Sequence, residues 1–223
     1  MIEKPRHHFS MQLNSGVWNI KVAPGKKWLI IEQRDEVKRE VTILAVDYEN
    51  KKIVWQNASL PEPWWINLMS VSPNSVSLKI FENTANPDRT SFLSLSLEDG
   101  KIIDRQAESE GEYTNQVQQP FQYIAGEPEF KTVEIFLKTR LNIIPLLGAE
   151  YLESHNFIFV SWYFGNPGMF TNTLGCFNKA GELLWQDEIG TNLKGIGINT
   201  FFIAHDYLFF VKNKTELVTF RIV

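Results

Sequence analysis

Three stretches of the chain spell out one hairpin. Ile43-Leu-Ala-Val-Asp-Tyr-Glu-Asn-Lys-Lys-Ile-Val-Trp55-Gln56 is an alternating strand, a tight turn and a second short strand ending in tryptophan. It returns without gaps as Phe92-Leu-Ser-Leu-Ser-Leu-Glu-Asp-Gly-Lys-Ile-Ile-Asp104-Arg105 and as Thr173-Leu-Gly-Cys-Phe-Asn-Lys-Ala-Gly-Glu-Leu-Leu-Trp185-Gln186. Alternation with period two puts successive side chains on opposite faces of a strand, and Asp, Asn and Gly tolerate the backbone angles of the turn between. A chain that repeats a hairpin repeats a sheet, so the expected class is all-β.

A second landmark fixes the repeat length. Ala23-Pro24-Gly25, Ser72-Pro73-Asn74, Ser154-His155-Asn156 and Ala204-His205-Asp206 each separate two apolar β-rich runs. Pro presets φ, and Gly, Asn and Asp accept positive φ, so each triplet reads as a hairpin turn. Pro24 to Trp55 and Pro73 to Asp104 both span 31 residues, and His155 to Trp185 spans 30. Two landmarks in constant register, at a period of about 40–50 residues with four strands per unit, mark propeller blades.

Each unit then reads as strands A to D. The first has A at Val17–Val22, B at Trp28–Gln33, C at Glu40–Asp47 and D at Lys51–Gln56. The second has Trp65–Val71, Ser75–Glu82, Thr90–Leu97 and Lys101–Arg105, and the fourth has Gly148–Glu153, Phe157–Phe164, Thr171–Asn178 and Glu182–Asp187. The fifth has Ile196–Ala204, Tyr207–Lys212 and Glu216–Ile222 and lacks its D strand. An open apolar edge invites aggregation, and a propeller removes it when one end of the chain completes the blade at the other. Part of Met1–Gln12 is therefore expected to be the missing strand. Val17-Trp18-Asn19 resembles Val54-Trp55-Gln56, but it lies too close to Pro24, and the register puts Trp18 on strand A.

The third unit is degenerate. Arg105 to Gly148 leaves about 43 residues with no clear turn triplet or D anchor. Glu108-Ser-Glu-Gly-Glu112 reads as a solvated loop, while Phe121–Ala125 and Phe130–Thr139 read as strands. The expectation is a small β-propeller of five blades, one of them reduced, forming a single domain over residues 1–223. Four blades with an insertion is the alternative.

Leu44-Ala45-Val46-Asp47 with Lys52-Ile53-Val54-Trp55, and next Gly181-Glu182-Leu183-Leu184-Trp185, resemble the blade repeat of the quinoprotein alcohol dehydrogenase-like (PQQ-type) propellers. The resemblance covers three hairpins, about a fifth of the chain, and implies fold rather than activity. The chain is also similar to a small family of uncharacterised bacterial proteins without the cofactor. Many quinoproteins carry vicinal cysteines, whereas this chain has one cysteine, so neither a cofactor nor a catalytic residue is carried over.

Composition narrows the partners. Net charge is −4, and no Lys/Arg cluster exceeds two residues, which argues against nucleic acid and against an anionic membrane surface. Cys176 alone makes no intrachain disulfide, and its strand slot predicts a buried thiol. Met1–Phe9 holds no apolar signal core and no long apolar run follows, so a soluble cytoplasmic protein, monomeric, is expected; a chain trimmed of a signal peptide would read the same.

No nucleophile, phosphate-loop or metalloprotease motif is present. Propeller function sits on the D–A and B–C loops, which here include Asn57–Pro63, Ile189–Gly195, Arg34–Arg39, Asn83–Arg89, Gly165–Phe170 and Asn213–Thr215. The candidate contact residues are Trp64, Trp65, Asp88, Arg89, Trp162, Tyr163, Asn166, Met169 and Phe170. Aromatic side chains at loops stack on sugars or grip a partner, and they also fill the wedge between blades. His155 and His205 fall at turn positions, and His7 and His8 fall in the expected closing strand or a loose tail. Glycoside hydrolysis needs two carboxylates at fixed separation; Glu150, Glu153, Glu62 and Asp88 are candidates that the sequence does not pair. The reading is a non-enzymatic binding module for a protein or other ligand, with a carbohydrate-binding or glycoside-hydrolysing propeller as the alternative.

Overall fold

The computed structural model describes residues 4–82, 86, 88–106 and 117–222. Strands dominate, and the all-β class is as expected. In chain order they are β1 (Arg6–Gln12), β2 (Gly16–Val22), β3 (Trp28–Asp35), β4 (Glu40–Asp47), β5 (Lys52–Asn57), β6 (Ile66–Val71), β7 (Ser75–Phe81), β8 (Thr90–Ser96) and β9 (Ile102–Gln106). They continue as β10 (Val117–Gln118), β11 (Phe121–Ile124), helix α1 (Pro128–Leu141), β12 (Leu146–Ser154), β13 (Phe157–Asn166), β14 (Met169–Asn178), β15 (Leu183–Leu193), β16 (Phe201–Ala204), β17 (Tyr207–Lys212) and β18 (Glu216–Arg221).

The chain divides into two compact units. An N-proximal unit spans Leu13–Gln116, and a C-proximal unit combines Met1–Gln12 with Val117–Val223. The N-proximal unit holds two antiparallel meanders, β2-β3-β4-β5 and β6-β7-β8-β9. Its repeat is visible in the register. Ala45 faces Trp55 and Ser94 faces Asp104, and in both sheets the next pairing skips one residue, Val54 or Ile103. Such a bulge bends the strand end and re-aims the side chain beside it. Trp55 is thereby directed onto the neighbouring sheet, where its indole N–H donates to the Leu97 carbonyl at 2.7 Å. Gly100 sits beneath the ring at φ 69, and a Cβ there would lie 2.4 Å from the indole, so this turn position requires glycine. The core between the meanders includes Ile30, Ile43, Ala45, Leu78, Leu93 and Leu95, all nearly or fully buried.

The C-proximal unit holds β11-β12-β13-β14-β15 and β1-β18-β17-β16-β10. A shorter turn in its hairpin shifts the register by one residue, so that Cys176 faces Trp185 and Leu184 is skipped. Cys176 is fully buried, and that burial pushes its thiol well above the usual range. The expected closing strand is present: β1 lies antiparallel to β18, from Arg6 opposite Arg221 to Gln12 opposite Glu216. His155 and His205 are turn residues as expected, but they themselves take positive φ, 55 and 53, a conformation closed to the prolines at the equivalent positions 24 and 73. The His7 ring packs edge-on against Phe220, and His8 lies against Tyr207.

Residues 105–147 depart from the expectation. Among the described residues they form no sheet of their own. β10 and β11 are edge strands on two different sheets, which leaves four sheets in the described chain. Phe130–Thr139, read as a strand, lies inside α1. Pro128 opens that helix, where no backbone N–H is required, and Asn142 at φ 57 closes it with bonds to the Leu137 and Lys138 carbonyls. Phe130, Val133 and Leu137 recur at helical spacing and pack on Ala149, Val160, Trp162 and Phe177. The first strand of the last sheet is shorter than Ile196–Ala204, and the Ile189–Gly195 loop is largely strand β15. Glu108–Glu112 lies outside the described residues, as do Asn83, Thr84, Ala85 and Pro87 of the Asn83–Arg89 loop. Among the described residues no helix is long and apolar enough to cross a membrane.

Candidate functional site

The nine candidate contact residues separate by exposure. Trp65 is 43% exposed, Met169 60%, and Asp88, Arg89 and Asn166 are also exposed. Trp162 and Tyr163 are each 1% exposed and Phe170 is 7%, which makes them interior residues and corrects their assignment as contacts. The reason lies in the pairing. β13 and β14 run together as far as Asn166 opposite Met169, and a two-residue Pro167-Gly168 turn replaces the expected Gly165–Phe170 loop. Strand pairing therefore carries Trp162 into the core, packed with Phe130 and Phe177. Trp64, Trp65, Asp88 and Arg89 belong to the N-proximal unit, and the other five to the C-proximal unit.

Within the N-proximal unit the tryptophans are organised by Arg34, on β3. Its Nε donates to Glu32 Oε1 at 2.7 Å, and Nη2 donates to the Ile66 carbonyl at 2.7 Å. Nη2 also reaches Asn67 Oδ1, and Nη1 donates to the Trp64 carbonyl at 3.3 Å. A guanidinium held at this many points is a rigid plate. The Trp18 ring lies 4.8 Å from its central carbon and the Trp64 ring 5.2 Å, while Arg39 lies 5.7 Å from Trp64. Arginine over an indole face is the favoured cation–π pairing. Trp18 sits where the β2–β3 register slips between Val17 and Asn19, and it is 63% exposed. Glu62 fixes the approach to Trp65 by accepting from the Trp64 and Trp65 amides at 3.0 and 2.9 Å.

Beneath this cluster Glu32 is fully buried, and its Oε2 accepts the Leu68 amide at 2.7 Å. Burial pushes its carboxyl above the usual range, while the Leu68 amide and the Arg34 charge pull it back. Trp18 and Arg34 were absent from the expected contact residues. The placement of Trp18 on strand A was a usable signal, because an exposed tryptophan on a strand is unusual.

The C-proximal unit carries a second buried glutamate. Glu150 Oε2 accepts the Thr200 amide at 3.0 Å and also the Thr200 hydroxyl, and that hydroxyl lies 3.3 Å from Ser161 Oγ. Ser161 donates to Asn172 Oδ1 at 2.7 Å. Glu150 Oε1 is buried without a hydrogen bond, and burial pushes this carboxyl up, opposed only by neutral donors on Thr200 and Asn199. Of the other carboxylates considered for hydrolysis, Glu153 is engaged by Lys179 and by the Tyr151 hydroxyl, and Glu62 by two backbone amides. Among the described residues no group of three or more His, Cys, Asp or Glu is arranged to hold a metal ion.

No curated protein matches the sequence. Residues 22–103, within the N-proximal unit, match a domain of unknown function, DUF4905.

Proposed function

We propose that the chain is a non-enzymatic binding module, and that the Trp18–Arg34–Trp64–Arg39 cluster with adjoining Trp65 is its recognition surface for a partner protein. The observation that carries this reading is that a guanidinium held by four hydrogen bonds lies against indole faces while leaving Trp18 63% exposed. Tryptophan and arginine are the residues that dominate binding energy at protein interfaces, and rigid side chains lose little entropy on docking. The engagement of Glu62, Glu150 and Glu153 in structural contacts favours binding over hydrolysis. A glycan stacked on Trp18 is the second reading, favoured by the exposure of that one ring. We further infer that the meander sheets are blades of one small propeller domain. Four is the favoured number, supported by the consecutive antiparallel order of strands within each sheet and by completion of the last sheet by β1.

The test is photo-crosslinking from position 18, with position 135 on α1, 56% exposed, as the control. A protein adduct formed from position 18 only, and lost in Trp65→Ala, supports the reading. Adducts of equal yield from both positions would overturn it. Saturable binding on a glycan array, lost in Trp18→Ala, would transfer the surface to the second reading.

A further inference from the structure

A pocket of about 350 Å³ lies in the C-proximal unit, between α1 and strands β11, β12 and β13. This volume is within the range of small-molecule sites. Tyr123 comes from β11, Tyr151 from β12, Ile158 from β13, and Phe136 and Thr132 from α1. Glu129 at the start of the helix supplies the charged side chain of the lining. Phe136 is held edge-on against buried Phe177, with ring centroids 4.9 Å apart. The Tyr151 hydroxyl is tied to Glu153, which Lys179 also engages. Two of the three rings are thus fixed before any ligand arrives.

Aromatic rings present negative π faces, and an ammonium ion is the ligand whose charge suits both those faces and a carboxylate. Glu129 is itself exposed, so it stays hydrated beside a neutral ligand, adds attraction for a cation and repels an anion. We propose that this pocket binds a small organic ammonium cation, of the quaternary or protonated-amine class, with Tyr123, Phe136 and Tyr151 around the cation and Glu129 as its counter-charge.

The experiment titrates the whole protein with choline and with its neutral carbon isostere, 3,3-dimethylbutan-1-ol, by isothermal calorimetry and by NMR of the aromatic signals. Choline is expected to bind about tenfold or more tighter than the isostere. Glu129→Gln should lower that ratio while leaving the isostere's affinity unchanged. Tyr123→Leu keeps apolar bulk but removes a π face, so it should also lower the ratio. Co-flotation with phosphatidylcholine vesicles, run in parallel, distinguishes a lipid-borne ammonium from a free one. Equal affinities for the two probes, or choline binding that survives both substitutions, would overturn the proposal.

Discussion

The two units use the same residue types in their cores, a tryptophan at one repeat position and a buried glutamate on different strands, and satisfy them differently. In the N-proximal unit the Trp55 indole N–H reaches the Leu97 carbonyl, and buried Glu32 meets both a backbone amide and the Arg34 guanidinium. In the C-proximal unit the Trp185 indole N–H is buried without an acceptor, and the ring stacks on Phe220 at 4.6 Å instead. Glu150 bonds the Thr200 amide and hydroxyl, and its second oxygen has no partner. The last sheet draws its fourth strand, β1, from the other end of the chain, so it has no turn corresponding to Gly100 beneath the tryptophan. A repeat position sets where a side chain points, and its neighbours decide whether its polar atoms are paired.

Removing residues 1–12 is expected to break the comparison most severely. It strips β1 from β18 and exposes a strand edge that no other segment covers in its sheet. Elution as larger species than the full chain in size-exclusion chromatography is the expected outcome, and unchanged elution with unchanged Tm would show that β1 is dispensable.

Next in size are the tryptophans. Trp55→Ala is expected to cost about 3–5 kcal/mol in urea unfolding. The sharper contrast uses phenylalanine. Trp55→Phe leaves the Leu97 carbonyl without its donor and should cost about 1–3 kcal/mol, whereas Trp185→Phe removes an N–H that bonds nothing and should cost less than about 1 kcal/mol. Equal costs would show that stacking, rather than hydrogen bonding, separates the two anchors.

The glutamates give the finest test. Glu32→Gln breaks a buried ion pair and should cost about 3 kcal/mol, while Glu150→Gln should cost less than about 1 kcal/mol at neutral pH. Burial raises the Glu150 carboxyl above its unfolded value of 4.5. From pH 4.5 up to the folded value, the native state keeps a proton that the unfolded state has lost, so native stability falls as pH rises through that window. Glutamine does not ionise. The variant should therefore gain on its parent as pH rises above 4.5. A stability difference independent of pH would mean that Glu150 is not held protonated.

The repeating hairpins were legible because alternation and turn chemistry are local. Pro24, Pro73, His155 and His205 gave the frame, and it was enough to keep Trp18 off the fourth-strand position. Helix α1 was not read because Thr132, Val133, Ile135 and Thr139 give it a strand-like composition that masked the spacing of Phe130, Val133 and Leu137. The contact surface was half legible. Trp64 and Trp65 were found beside prolines, but Trp162, placed on its strand, was offered as a contact because an aromatic run leads from it into the Pro-Gly turn, and that run does not tell an inward face from an outward one. Arg34 escaped notice because its role depends on carbonyls from β6 and the residues before it, 30 and 32 positions away.

The pairing of β1 with β18 also sets an order of events. The earliest of these strands to leave the ribosome must wait until roughly 200 more residues have been made before its partner exists, which makes this the most non-local strand pairing among the described residues. Until then the last sheet has an unprotected margin and the leading segment has no place to settle. Pairing of β1 with β18 is therefore a late closing step, and a nascent protein stalled short of Glu216 would expose both segments.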